Sequence, residues 1–159
     1  MSKDPIARGV LVVLPPTATD PLPALAKEAA SILRALHAPA EAHMQEADYV
    51  LFLLGPEADP RALALPELKD RAASAIAVAA DAGEGRVAVA LGRKHLRAHG
   101  AVLGARELVF SPKQFGHLGI ESDGARERLE ILLRALVLDA ERLRLKREGW
   151  EEPKQRDPL

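Results

Sequence analysis

Tyr49-Val50-Leu51-Phe52-Leu53-Leu54, preceded by Ala47-Asp48 and stopped by Gly55-Pro56, is the stretch on which the fold turns. An unbroken short apolar run matches a strand buried on both faces, the mark of a parallel sheet with helices on each side. Val10-Leu11-Val12-Val13-Leu14, closed by Pro15-Pro16, repeats the pattern upstream. Both runs are far too short to span a bilayer. Between them Leu22, Leu25, Ala29, Ile32, Leu33 and Leu36 recur at three- and four-residue spacing, giving a helix with one apolar stripe up to His37. Thr19 or Asp20 is its expected cap and Pro21 its expected first residue.

Downstream, Asp59-Pro60 repeats the pairing of a capping residue with proline, and Pro66 is expected to restart a helix running to about Ala82. Gly83-Glu84-Gly85 reads as a turn, and Val87-Ala88-Val89-Ala90-Leu91 as a third strand. A short helix over 94–103, ended by Gly104, leads to a fourth strand at Glu107-Leu108-Val109-Phe110. Ser111 to Gly119 reads as a loop, after which Ser122 or Asp123 caps a long last helix. Pro39 to Met44 is a weak candidate for a fifth strand, given its Ala and Glu content. The alternation predicts an α/β fold with right-handed crossovers. It would be a single three-layer domain over 1–148, with a mostly parallel sheet of four or five strands in a flavodoxin-like or TIR-like arrangement. The charged, proline-containing segment 149–159 is expected to be a mobile tail.

The chain has 159 residues, enough for one substantial core. Its formal net charge of -1 makes nucleic acid an unlikely partner. With no cysteine, disulfides, thiolate metal sites and Cys nucleophiles are excluded. Aromatic residues are only 3%, which argues against stacking platforms for bases or sugars. Absence of Asn and Cys, with 12 prolines, suits either a heat-adapted protein or a GC-rich genome. The start Met1-Ser2-Lys3-Asp4-Pro5 lacks the basic and apolar regions of a secretion signal, so a cytoplasmic protein without membrane attachment is expected.

The last helix, from about Gly124 to Glu148, carries more apolar surface than one sheet face requires. Leu129, Leu132, Leu133, Leu136, Ala140 and Leu143 form one stripe. Ile131, Leu138 and Leu145, joined by Val137, recur every seven residues on another flank. Either both flanks belong to one core, or the second is an interface in residues 124–148 for another copy or a protein partner.

Ligands of open parallel sheets bind beyond the carboxyl ends of the strands. After the first strand, Pro15-Pro16-Thr17-Ala18-Thr19-Asp20 offers hydroxyls and an acid near a helix start, but no glycine cradle. Capping accounts for it, although a phosphate also suits a helix N-terminus. After the second strand, Glu57, Asp59 and Glu67 are candidates for general acid or base work, and equally for simple dipole-favourable placement. Ala47 to Leu54, the order of elements and a Glu on the following helix faintly resemble TIR-like domains, although the second strand and its loop are missing. That resemblance implies that Glu67 occupies the position of a glutamate assisting NAD cleavage.

From Gly85 to Arg106 there is no acid, while Arg86, Arg93, Lys94, Arg97 and Arg106 are basic. Arg93, Lys94 and Arg97 are the candidates for holding a phosphate or carboxylate, with a helix N-terminus assisting. A solvated basic face accounts for them equally. His95 and His99 share a helix face as metal ligands do, but their basic neighbours would repel a dication, and His117 is not brought near them by any pattern. No metal is expected. Ser111, Lys113 and His117 lie on one loop without a Gly-x-Ser-x-Gly elbow; a rim loop with Phe115 packed down suffices. Two functional readings follow. One is a non-catalytic interaction or assembly module acting through the last helix. The other is a small enzyme or sensor for an anionic metabolite or nucleotide, with Glu67 or Glu57 as base. No particular cofactor is indicated.

Overall fold

The structure is a computed structural model that describes residues 5–14, 21–116 and 119–149. The element order is β1 (Gly9–Leu14), α1 (Leu22–Ala35), β2 (Tyr49–Leu54), β3 (Ala72–Val78), α2 (Ala82–Ala98), β4 (Val102–Leu103) and β5 (Leu108–Phe110). A hairpin of β6 (Phe115–Gly116) and β7 (Gly119–Ile120) follows, then α3 (Asp123–Arg147). The main sheet runs β1-β2-β3, with β4 and β5 both on the far side of β3, and every pairing in it is parallel. β4 pairs the start of β3 and β5 its end, so together they form one interrupted edge strand.

Side-chain alternation divides the core into two. Tyr49, Leu51, Leu53, Ile76 and Phe110 point to the face covered by α1 and α3. Val50, Phe52, Leu54, Ala73, Ala75 and Ala77 point to the face covered by α2 and the 55–68 connection. β2 and β3 are buried along their full length, as a strand between two helical layers must be. α3 is capped by Ser122, whose Oγ accepts from the Ala125 amide at 3.3 Å. α1 starts at Leu22 with Pro21 at its cap and no side-chain capping bond. The expected caps Thr19 and Asp20, and the tail beyond Gly149, lie outside the described residues.

The segment 66–103 differs from the expected order. The helix expected from Pro66 to Ala82 is instead an extended connection followed by β3. The expected turn at Gly83 to Gly85 and the expected strand Val87–Leu91 are both inside α2, as is the first half of the expected helix 94–103, whose end is β4. The cause is an inverted pattern. α2 buries Gly85, Ala88, Val89, Gly92 and Leu96, a helical spacing made mostly of small residues, and exposes Val87 at 60% and Leu91 at 37%. The glycines are needed for close approach. A Cβ on Gly85 would stand 2.4 Å from Val109, and one on Gly92 would stand 2.9 Å from Leu54.

After α1 the chain reaches the outer side of β1, where Gly9 donates to Pro39 O at 3.1 Å and accepts from the Ala42 amide at 2.9 Å. Pro39 to Met44 therefore contributes two hydrogen bonds to the sheet edge and not a fifth strand. The chain then crosses to the α2 face, where Met44 packs, before entering β2. α1 and the connection after β2 consequently leave adjacent strands for opposite faces. The topological switch point of the sheet lies between the carboxyl ends of β1 and β2.

Candidate functional site

At the switch point the described residues are Gly55-Pro56-Glu57-Ala58-Asp59. Glu57 is exposed there. The Asp59 carboxylate accepts from the Arg61 amide at 3.1 Å and from Arg61 Nε at 3.2 Å. Those bonds hold its pKa below the ordinary carboxylate value. The 15–20 loop opposite lies outside the described residues.

Glu67 is not at this edge. It lies in extended chain, and its Oε1 is 2.6 Å from where a Cβ on Gly100 would stand, at the end of α2. The neighbouring Leu68 amide donates to His99 O at 2.7 Å, just before β3 begins. Glu67 thus sits at the amino edge of the sheet, opposite Glu57, and on no helix. The positional basis of the TIR resemblance fails, because the helix that would carry its glutamate is absent.

The basic cluster is not at a helix N-terminus either, since α2 begins at Ala82 with Asp81 as its cap. Arg93 Nη1 donates to Gly104 O at 2.9 Å, and its Nε is 3.5 Å from Glu107. Its guanidinium closes the gap between β4 and β5. Lys94 and Arg97 are exposed on the second half of α2. His95 Nε2 is 2.8 Å from Leu63 O, and the His95 and His99 rings meet edge-on at 5.0 Å. No group of three His, Asp or Glu side chains close enough to hold a metal occurs among the described residues. Ser111 caps the short helix Pro112–Gln114, so its hydroxyl is committed to the Lys113 amide at 3.3 Å. Phe115 packs edge-on against Phe110, and His117 lies outside the described residues.

Two clefts among the described residues lie along α3. A cleft of about 290 Å³ is lined by Arg106, Glu107, Leu108, Arg128, Ile131 and Leu132. A second of about 140 Å³ adjoins it under the β4–β5 interruption, between Ser74 and Asp139. Beside this opening Ile131 is 39% exposed, and two turns further along α3 Leu138 is 61% exposed, whereas Leu129, Leu132, Leu133 and Leu136 are buried. Leu145, the third residue of the expected flank, is half-buried, and Val137 belongs to the core. Sequence periodicity had no means of showing the clefts, because they depend on the break between β4 and β5.

The sequence matches no protein-family model and no curated protein. Solved structures match the fold. A flavodoxin from the domain Archaea aligns with TM-score 0.59 at 11% identity, over 84% of this chain and 98% of that one. Flavodoxin 1 from Bacillus cereus aligns with TM-score 0.62 at 12% identity, over 83% and 98%. A short-chain flavodoxin associated with a non-canonical PDU bacterial microcompartment gives TM-score 0.62 at 16% identity, over 84% and 99%. The fold is flavodoxin-like. No helix among the described residues is long and apolar enough to cross a membrane.

Proposed function

We propose that the protein is a non-catalytic α/β module that docks a protein partner on the outer flank of α3. The carrying observation is the stripe Arg128, Ile131, Ala135, Leu138 and Arg142. Its centre is apolar: Ile131, which lines an open cleft with Arg128, and Leu138, a heptad further on, stand 39% and 61% exposed. Arg128 and Arg142 stand at its two ends, with the exposed Glu127 beside the first. Two copies of α3 crossing antiparallel about Ala135 would set Arg128 against Arg142 of the second copy. A partner segment with an apolar centre and acidic ends suits the stripe better, through burial in the middle and Arg–carboxylate pairs at the rim.

The flavodoxin-like fold raises the question of a flavin, since flavodoxins carry FMN at the switch point. The described residues there do not fit one. Glu57 and Asp59 are acidic, and no aromatic ring lies at the described ends of β1 or β2 to stack on a planar ligand. Tyr49 and Phe52 are wholly buried within β2.

A photo-crosslinking residue at Leu138 should trap one partner carrying such an acid-flanked apolar segment. Ile131→Glu with Leu138→Glu should abolish that product while leaving thermal unfolding near the wild-type midpoint. Products formed only with the protein's own α3, or none, would count against partner docking. A ligand panel supplies the opposing outcome. Selective stabilisation by FMN, a nucleotide or a sugar phosphate, roughly 5–10 °C at 100 times its dissociation constant, would replace this reading with a ligand site.

A further inference from the structure

Among the described residues, backbone hydrogen-bonding groups on the outer edge of β1 have no partner. Gly9 directs its N–H and C=O outward to Pro39 and Ala42, while Leu14 C=O accepts from the Gly55 amide on the β2 side. Strand alternation then turns the N–H and C=O of Leu11 and Val13 outward. Among the described residues nothing pairs with these four groups. Free strand edges are ordinarily protected by charge, proline, a bulge or a covering loop. Val10 to Leu14 has no charge and no proline, and it pairs with β2 residue for residue without a bulge.

We infer that β1 pairs antiparallel with β1 of a second copy of this chain, about a two-fold axis through Val12. In that register Leu11 faces Val13 of the second copy, and Val13 faces its Leu11. Four hydrogen bonds form, each outward N–H donating to the facing C=O, and no outward group in this part of the strand is left over. The length of the slot agrees. Gly9, the next outward residue, is already paired with the 39–42 segment, which closes the slot at that end.

Side chains select the same occupant. Val10 and Val12 pack on the α2 face of the sheet, Leu11 and Val13 on the α1–α3 face, and all four remain half-buried. An added strand must therefore be apolar on both sides, as β1 itself is. An ordinary alternating peptide would press polar side chains against one of the two covered faces. The charged 150–159 segment, with Pro153 and Pro158, lacks that character. The α3 flank takes no part, so the two surfaces fail separately.

Amide exchange read against protein concentration tests the pairing. The wild-type chain should be a dimer by sedimentation, with Leu11 and Val13 amides slowed at least about tenfold and released on dilution to monomer. Val13→Pro removes an outward donor without touching the β2 ladder, so it should give a folded monomer in which Leu11 exchanges freely. Ile131→Glu with Leu138→Glu should change neither the dimer nor Leu11 protection. Should Val13→Pro fail to fold, dilution of the wild type still decides. A wild-type monomer, fast exchange at every concentration, or protection that survives in the monomer overturns the inference, the last assigning the edge to a segment of the same chain.

Discussion

Arg147, in the last turn of α3, forms an ion pair with Asp48, 99 residues earlier in the chain and directly before β2. The same guanidinium donates to Asp70 O ahead of β3. The other Asp48 oxygen accepts from the Arg8 amide at 2.9 Å, ahead of β1. One arginine and one carboxylate thus tie the entry of three parallel strands to the end of the longest helix. Burial and the neighbouring Arg71 draw the Arg147 pKa below its ordinary value, and Asp48 works against them.

Arg147→Met should destabilise the fold by about 2–3 kcal/mol, because it leaves Asp48 shielded from water without its counter-charge. The figure lies below the roughly 3–5 kcal/mol for breaking a fully buried pair, since the two side chains retain 19% and 12% exposure. Arg147→Met with Asp48→Asn should cost less than the two single changes added. Urea unfolding of the four proteins measures the coupling, and strict additivity would show that the pair is not energetically linked.

Tyr49 supplies a pH signature. Its hydroxyl donates to Ala38 O at 2.6 Å in the core. Burial, followed by the charge of Asp48, raises its pKa well above the ordinary phenol value. A raised folded-state pKa means that the contribution is whole below the unfolded value near 10 and is lost as pH climbs above it. Relative to Tyr49→Phe, the wild type should lose about 1.4 kcal/mol of stability per pH unit above pH 10. Below pH 9 Tyr49→Phe should be the less stable by about 1 kcal/mol, for the missing hydrogen bond. A stability difference that stays flat from pH 8 to 11 would mean that the hydroxyl is not held in the core.

Most of the architecture was legible where burial and hydrophobicity coincide. Val10–Leu14, Tyr49–Leu54, Leu108–Phe110, α1 and α3 lie where the apolar runs and stripes put them. The middle of the chain was not legible, because there burial selects for small size. β3 reads Ala-Ala-Ser-Ala-Ile-Ala-Val, mostly the best helix former, yet it is one of the two interior strands. α2 turns glycine and alanine to the sheet and Val87 and Leu91 to solvent, so propensity and periodicity both point the wrong way. The error carried into the candidate site. With strand and helix exchanged, the sequence puts Glu67 on a helix and Arg93 to Arg97 at a helix start, whereas the fold puts Glu67 in extended chain and the basic residues in the second half of α2. The outward residues Ile131 and Leu138 were readable because α3 is long enough for two stripes to separate.

Gly9 is small for a reason that only the packing supplies. A Cβ there would stand 2.1 Å from two atoms of the Tyr49 ring, which is wholly buried and tethered by its hydroxyl. Gly9→Ala should therefore cost about 1–3 kcal/mol by overpacking, although alanine relaxes the unfolded-state penalty of glycine. Replacing Tyr49 with Leu in the same chain should remove part of that cost. A neutral Gly9→Ala measured by chemical unfolding would mean that the ring has room to move.

Arg93 separates a structural role from a ligand-binding one. Its guanidinium reaches from α2 to Gly104 O at 2.9 Å and to Glu107 at 3.5 Å, spanning the segment where the edge strand breaks between β4 and β5. It keeps only 14% of its side-chain exposure, so little of it is left to meet a solute. Arg93→Ala should cost about 1–2 kcal/mol, through the lost charge-assisted bond and the lost packing of its stem. It should also speed amide exchange in 104–107. Arg93→Lys should restore only part of this, since a single ammonium does not reproduce the planar fork that meets the carbonyl and the carboxylate together. Lys94→Ala and Arg97→Ala, at exposed positions, should stay within about 0.5 kcal/mol of wild type. If Arg93→Ala instead leaves stability and exchange untouched while erasing stabilisation by an added anion, the guanidinium holds a ligand and the strand break is closed by something else.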